Sequence, residues 1–122
     1  MAALPLLLAG CGSPPGQDEV RSTAGQWLAA AQAKDAGQLC RLLTPAAAES
    51  AATGDETCQQ AVGDLDLPGG GTVGEVERWS DEAQVRTGSD TLFLTRLSDG
   101  WHVNAAGCQP QDDRPYDCDV AG

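Results

Sequence analysis

Residues 76–103 read VERWSDEAQVRTGSDTLFLTRLSDGWHV, and this stretch decides the fold. Short runs rich in β-branched and aromatic residues alternate with turn residues, a pattern typical of strands joined by tight turns. With its flanking residues, the stretch predicts four strands, at Thr72–Trp79, Glu82–Thr87, Thr91–Leu97 and Trp101–Ala105. Connections this short force consecutive strands to pair antiparallel, so we expect a four-stranded meander.

Helical signals precede these strands. Apolar residues recur at 3.6-residue spacing, which predicts a first amphipathic helix over about residues 18 to 34. They are Val20, Ala24, Trp27, Leu28 and Ala31. Asp35 is typical of the N-cap of a short second helix, and Gln38 is placed three positions later to complete a capping box.

Two further helix starts follow. Thr44-Pro45 is an N-cap followed by proline at the first helical position, and the alanine-rich stretch to Ala52 continues that helix. Residues 53–56, Thr-Gly-Asp-Glu, are predicted to cap a fourth helix that reaches Leu65. Helices first and a meander second indicate an α+β fold, in which N-terminal helices cover one face of a curved sheet.

The N-terminal residues resemble a lipoprotein leader. Residues 4–10 form an apolar run long enough for the h-region of a signal peptide, but too short to span the roughly 30 Å hydrocarbon core of a bilayer. Leu8-Ala9-Gly10-Cys11 is similar to a bacterial lipobox, which implies that Cys11 carries a diacylglycerol and that residues 1–10 are removed. Residues 1–10 hold no Lys or Arg, so we expect the true start to lie upstream. The alternative is an ordinary apolar N-terminus with a buried cysteine.

Residues 11–17 are interpreted as the lipidated cysteine and a flexible tether, because Gly-Ser-Pro-Pro-Gly-Gln after Cys11 has no apolar side chain to bury. Six extended residues span about 20 Å. Residues 18–122 suit a single domain with a modest core. The leader therefore predicts an exported protein that is anchored to the outer face of the cytoplasmic membrane.

The chain is strongly acidic. It has 18 acidic and 7 basic residues and a net charge of −11, to which the leader contributes nothing. Such a surface repels phosphate backbones and anionic lipid headgroups. We therefore expect no nucleic acid partner, and we expect contact with the membrane to come through the lipid on Cys11.

Four cysteines remain after Cys11: Cys40, Cys58, Cys108 and Cys118, an even number typical of an oxidising compartment. Three pairings are possible. Periodicity favours Cys40–Cys58, on the apolar faces of two predicted helices, and Cys108–Cys118, which bracket a polar loop. A zinc site is the rival interpretation, but the chain has no Cys-x-x-Cys pair and a single histidine. We expect no metal and no cofactor.

The order of elements carries a resemblance. WLAAAQAKDAGQLCRLLTP (27–45), with its Lys-Asp-Ala helix junction, precedes the strands VERWSDEAQVRT (76–87) and TLFLTRLSDGWHV (91–103) and a cysteine-closed tail. Residues 18–122 thereby resemble the NTF2-like (cystatin-like, SnoaL-like) domain of small exported lipoproteins of high-GC Gram-positive bacteria. The resemblance implies an α+β cone that holds a small molecule between the helices and the concave face of the sheet. Related enzymes place Asp, His or Tyr there.

His102 is the one imidazole in the chain. It alternates with Trp101 and Val103, so if those two face the core it points to solvent or to an open sheet face, and no carboxylate stands at a fixed spacing to orient it. No nucleophile elbow, phosphate loop, metalloprotease motif or dinucleotide fingerprint occurs. We therefore assign no catalytic residue and interpret His102 as a surface histidine.

An acidic cluster crowds the predicted loop between Cys108 and Cys118. Its members are Asp112, Asp113, Asp117 and Asp119. They supply the hard oxygen ligands that calcium prefers, but their spacing matches no EF-hand, so we interpret them as a solvated acidic loop.

Three tryptophans, Trp27, Trp79 and Trp101, stand in a chain with one Tyr and one Phe. In so alanine-rich a domain we predict them to fill the core, although one at the mouth of a pocket would indicate a ligand.

These observations favour a membrane-anchored binding or protein-interaction module of the cell envelope, with an envelope protein or a small molecule as its partner. One alternative is a small NTF2-like isomerase or hydrolase that uses His102. Another is a purely structural envelope protein whose cone is filled by side chains.

Overall fold

The computed structural model of the protein describes residues 17–88, 90–111 and 115–122. Within them, helices precede strands: α1 (Gln17–Ala33), α2 (Ala36–Leu42), α3 (Pro45–Ala51), α4 (Cys58–Gly63), β1 (Val73–Trp79), β2 (Glu82–Thr87), β3 (Thr91–Leu97), β4 (Gly100–Gln109) and β5 (Asp117–Ala121). The predicted α+β class is confirmed, as is the order of N-terminal helices before an antiparallel sheet.

The sheet has five strands in the order β1-β2-β3-β4-β5, so the prediction of four strands is wrong. Each strand pairs antiparallel with the next one along the chain. The additional strand, β5, begins only at the end of the predicted polar loop between Cys108 and Cys118, and it pairs with the last residues of β4, which continues to Gln109. Ladder bonds, the buried Val120 and a disulfide hold this otherwise polar segment in place.

Helix α1 packs on the sheet through one buried stripe. Its buried apolar residues are Val20, Ala24, Trp27, Leu28, Ala30 and Ala31, and α1 contacts β1, β2 and β4. The helix begins one residue earlier than predicted, since Gln17 belongs to it rather than to the tether. The Gln17 side chain donates a hydrogen bond to the backbone carbonyl of Val76 in β1, at 3.3 Å.

A tight junction joins α1 to α2. Lys34 adopts a left-handed backbone conformation with φ 56°, which ends α1. Asp35 then caps α2 as predicted, and its Oδ1 accepts from the backbone N–H of Gln38 at 3.1 Å. The predicted capping box is not completed, because the Oε1 of Gln38 accepts from the Arg41 guanidinium instead.

The third helix starts at the predicted cap and the fourth does not. Thr44 caps α3, with Pro45 at its first position. The N-cap of α4 is Thr57, not residues 53–56: Thr57 accepts from the backbone N–H of Gln60, and the Gln60 side chain accepts from the backbone N–H of Thr57. These reciprocal bonds satisfy two amides at the helix start, which a cap at residue 53 would leave without partners.

Both disulfides of the described residues join neighbouring elements. Cys40–Cys58 links α2 to α4 across 6.2 Å between Cα atoms, and Cys108–Cys118 links β4 to β5. These are the two pairs that periodicity favours, although Cys108 and Cys118 lie directly opposite each other in a ladder rather than at the ends of a loop.

The two faces of the sheet differ in burial. The inner face packs on the helices, and its buried residues are Val76, Ala83, Val85, Leu92, Leu94, Trp101 and Val103. The outer face carries the alternate residues, which are exposed or half-buried. One row of register partners on that face runs from Trp79 in β1 through Glu82 and Thr95 to His102 in β4.

Candidate functional site

A groove of about 400 Å³ lies where α1 and α2 meet the start of β4. Polar side chains of α1 form one wall: Glu19, Ser22, Thr23 and Gln26. Leu42, the turn residues Asp99 and Gly100, and the strand residues Trp101 and His102 form the rest. Most of the residues that line the groove are therefore polar, and an imidazole and two carboxylates border it.

His102 is held at this groove by two hydrogen-bond acceptors. Its Nε2 lies 2.9 Å from Oδ1 of Asp99, and its Nδ1 lies 3.2 Å from the backbone carbonyl oxygen of Leu43. The expectation that no carboxylate orients His102 is wrong, because the turn at residues 98–100 brings Asp99 to the ring. Its side chain is 17% exposed, whereas that of Asp99 is 71% exposed.

The partners of His102 define its hydrogen-bonding state. A backbone carbonyl and an ionised carboxylate both accept and neither donates, so the ring satisfies both when each nitrogen carries a proton. The hydrogen bond and the charge of His102 lower the pKa of Asp99 below its ordinary value of 3.8. The two side chains are hydrogen-bonded at the rim of the groove, and they form an ion pair when the imidazole is protonated.

This arrangement limits what His102 does chemically. A general acid or base needs a ring nitrogen within hydrogen-bond reach of the reacting group. Here Nδ1 faces α2 and Nε2 faces the turn at Asp99, so each nitrogen already has a partner. The imidazole positions the turn against the end of α2 rather than presenting a nitrogen to the groove.

Trp101 forms the floor of the groove and is 6% exposed. The guanidinium groups of Arg78 and Arg96 lie 5.7 and 5.8 Å from its ring centroid, within the range of cation–π attraction. Arg96 also donates two hydrogen bonds to Oδ1 of Asp81, from Nε at 3.0 Å and from Nη2 at 2.7 Å. The indole at the floor of the groove is thereby held in place by packing and by the two guanidinium groups.

The three tryptophans have different environments. Trp27 is fully buried and Trp101 nearly so, in agreement with the prediction that they fill the core. Trp79 is 53% exposed on the outer face of β1, so its assignment to the core is wrong. It lies in an edge strand at the start of a hairpin, where no further element covers that face of β1 among the described residues.

Asp90 is a buried acidic residue that sequence reasoning missed. Its Oδ1 accepts from the backbone N–H groups of Thr91 and Cys108 at 2.7 and 2.8 Å, and its Oδ2 accepts from that of Gly107 at 2.9 Å. Gly107 presents its N–H from a left-handed conformation with φ 67°, which favours glycine. Burial raises the pKa of Asp90 above 3.8, while these hydrogen bonds act in the opposite direction.

The remaining candidate residues are spread over the chain. Asp117 and Asp119 are exposed in β5, and Asp112 and Asp113 lie outside the described residues. Within the described ranges, no three metal-ligating side chains come together. Cys11 and the predicted leader also lie outside the described residues, and none of the described helices is long and apolar enough to cross a membrane.

Comparison with known proteins adds no relative on which to base an assignment: no family model, no curated protein and no solved structure matches this chain.

Proposed function

We propose that the protein is an exported lipoprotein of the cell envelope, anchored to the outer face of the cytoplasmic membrane through a lipid on Cys11, and that it works as a binding module rather than an enzyme. We further propose that its domain is an NTF2-like cone. Helices that precede an antiparallel meander and cover one of its faces support this fold assignment.

The observation that carries the proposal is the groove at His102. It combines an open volume of about 400 Å³ with hydroxyl, amide and carboxylate side chains, a composition suited to holding a polar molecule. Both nitrogens of the one histidine are occupied by the acceptors that position it. A shaped polar groove without a poised acid or base favours binding over catalysis.

The charges of the groove define the class of ligand. Glu19 and Asp99 contribute carboxylates, and His102 compensates that of Asp99 when it is protonated. The remaining carboxylate of Glu19 repels anions. We therefore propose a small polar ligand that is neutral or cationic.

Nuclear magnetic resonance titration tests this proposal. The probes are glucose (neutral), putrescine (cationic) and acetate (anionic), and the reporter is the Cε1–H resonance of His102, the one histidine of the chain. We expect a saturable shift with glucose or putrescine and none with acetate. The shift should weaken in Gln26→Ala, in the groove wall, and persist in the matched control Gln59→Ala on the exposed face of α4.

Two results would contradict the proposal. A response to acetate alone, or to none of the probes, would show that this groove does not take such a ligand. The paired His102 and Asp99 give the catalytic alternative its one specific support. Hydrolysis of an activated ester such as p-nitrophenyl acetate that disappears in His102→Gln would favour that alternative.

A further inference from the structure

The outer face of the sheet carries an aromatic and acidic surface that is separate from the groove. We define the Trp79 surface as Trp79 with Glu77 and Glu82. Glu77 lies two residues before Trp79 on the same face of β1, and Glu82 is the cross-strand partner of Trp79 in β2. Paired residues of an antiparallel ladder have Cβ atoms about 5 Å apart, so acidic residues neighbour Trp79 both across the ladder and along its own strand.

Exposure of this tryptophan is unusual within the molecule. Trp79 is the one exposed large apolar side chain among the described residues, at 53%. An indole at the surface leaves apolar area in contact with water, and tryptophan is among the side chains enriched at the centres of protein interfaces. The residue therefore marks a contact area that the described part of the chain leaves exposed.

The two carboxylates determine which partner fits. Glu77 and Glu82 are exposed, and neither forms an ion pair with a cationic side chain of the described residues. Oε1 of Glu82 accepts a hydrogen bond from Oγ1 of Thr95 at 3.0 Å, which holds this carboxylate over the sheet. The outer-face cation on β2 is Arg86, which lies beyond Gln84 and thus about 13 Å along the strand from Glu82.

An indole flanked by carboxylates suits a cationic side chain. The ring attracts a lysine or arginine head through its negative face, and the carboxylates supply opposite charge. The same charges, in a chain of net charge −11, disfavour an anionic lipid surface or a nucleic acid.

The position of β1 adds a geometric argument. It lies at one edge of the sheet and pairs with β2 on one side, and because Gln17 of α1 already bonds the carbonyl of Val76, the relevant part of the edge is residues 77–79, next to the turn. An extended peptide added along such an edge places alternate side chains on the outer face, beside Trp79.

We propose that the Trp79 surface is a docking surface for an extended segment of a partner protein that carries Lys or Arg at alternate positions. The segment lies beside β1, its cationic heads contact the indole of Trp79, and Glu77 and Glu82 neutralise their charge. This surface shares no residue with the lining of the groove at His102, so each site has its own test.

A peptide titration tests the proposal. The probe is an octapeptide of alternating Lys and Thr with blocked termini, and the control peptide replaces each Lys by Glu. We expect the Lys peptide at low salt to shift the indole N–H resonance of Trp79 while those of Trp27 and Trp101 move little. The Glu peptide should leave all three resonances in place.

Substitutions separate specific docking from general charge attraction. Trp79→Ala should weaken binding of the Lys peptide at least about fivefold, and Trp79→Phe should restore part of it, because a ring is retained. Glu77→Gln with Glu82→Gln should weaken binding about threefold or more. The matched double variant Glu49→Gln with Glu56→Gln changes net charge equally at exposed positions of α3 and the loop before α4, and should leave affinity unchanged.

Three outcomes would overturn the proposal. Equal weakening by the two double variants would show nonspecific attraction and overturn the proposal. So would full affinity in Trp79→Ala, once its melting temperature shows that the variant is folded. Binding of vesicles of anionic lipid that depends on Trp79 would assign the surface to a membrane instead and would likewise overturn it.

Discussion

At Asp90, a single carboxylate joins the β2–β3 hairpin to strand β4. Two of the amides that it binds, those of Gly107 and Cys108, lie 17 and 18 positions further along the chain. The backbone carbonyl of Asp90 also accepts from the backbone N–H and the hydroxyl of Thr87, at 2.9 and 3.1 Å. One residue thereby accepts hydrogen bonds from β2, β3 and β4. We therefore expect its substitution to lower the stability of the fold strongly.

Asp90→Ala should lower the free energy of unfolding by about 3 kcal/mol, because it leaves the buried amides of Gly107 and Cys108 without an acceptor. Urea denaturation at pH 7 measures the change. The matched control is Asp55→Ala, in an exposed turn, where we expect a change within about 0.5 kcal/mol. A similar small change for both variants would contradict the role assigned to Asp90.

The difference between wild type and Asp90→Ala should depend on pH in a defined direction. A carboxyl whose folded pKa lies above its unfolded value of 3.8 takes up a proton on folding. Its contribution to stability is therefore greatest in acid, and it decreases as the pH rises from 3.8 through the raised folded pKa. A difference that grows with pH over this range would indicate a lowered pKa instead.

Neither the role of Asp90 nor the hydrogen bond between Asp99 and His102 could be identified from the sequence. Asp90 has the appearance of an ordinary turn residue between two strands, and its amide partners reach it only through the register of β3 and β4. Residues three apart in a strand point to opposite faces, so nothing in the spacing of Asp99 and His102 indicates contact. Asp99 lies in the turn before β4, so the alternation of side chains along a strand does not apply to this pair.

At the scale of elements, the sequence predicts a helix start correctly where it offers one candidate N-cap residue. Asp35 and Thr44 cap the helices that the sequence predicts for them. The fourth helix differs because residues 53–60 contain two threonines, each with a Glu or Gln three positions later. Only Thr57 has a glutamine three positions later that reaches back to its amide.

Thr57→Ala should lower the free energy of unfolding by about 1 kcal/mol, because it removes the acceptor for the Gln60 amide. Thr53→Ala is the matched control and should change stability by less than about 0.5 kcal/mol, since Thr53 contributes its backbone carbonyl to the Glu56 amide. Thermal denaturation of both variants measures the difference. A larger loss of stability for Thr53→Ala than for Thr57→Ala would show that Thr53 is the N-cap of this helix.

Strand β5 shows why the sheet could be predicted only in part. The first four strands contain several apolar or β-branched residues each, but residues 117–121, Asp-Cys-Asp-Val-Ala, bury one large apolar side chain, that of Val120. The signal for such a strand lies in its partner, the continuation of β4, and that pairing is a tertiary property. The predicted Cys108–Cys118 disulfide was the clue to this pairing that the sequence offered.

At the scale of the whole molecule, the predicted anchor and the described domain are close in sequence. Helix α1 begins at Gln17, six residues after Cys11, so a lipid on Cys11 holds the domain within about 20 Å of the membrane. The start of α1 also lies against β1 through the bond from Gln17 to Val76. The proposed anchor thus places the β1 edge of the sheet nearest to the membrane.

Cys11→Ser should move the protein from the membrane fraction to the soluble fraction, because the hydroxyl is not a substrate for lipid attachment through a thioether. The test is cell fractionation after expression in the host from the native gene. Ser13→Ala, in the same tether, is the control and should stay with the membrane. Equal retention of wild type and Cys11→Ser would reject the anchor.

The order of the strands has a kinetic consequence. Every strand pairs with its neighbour in sequence, so the sheet is assembled from successive hairpins that close short loops. The entropy of loop closure increases with loop length, and chains rich in local contacts fold faster than those that depend on distant pairing. Helix α1, in contrast, reaches β1, β2 and β4 across the whole intervening chain. We therefore expect the meander to form first and α1, the element next to the proposed anchor, to complete the core by docking on it.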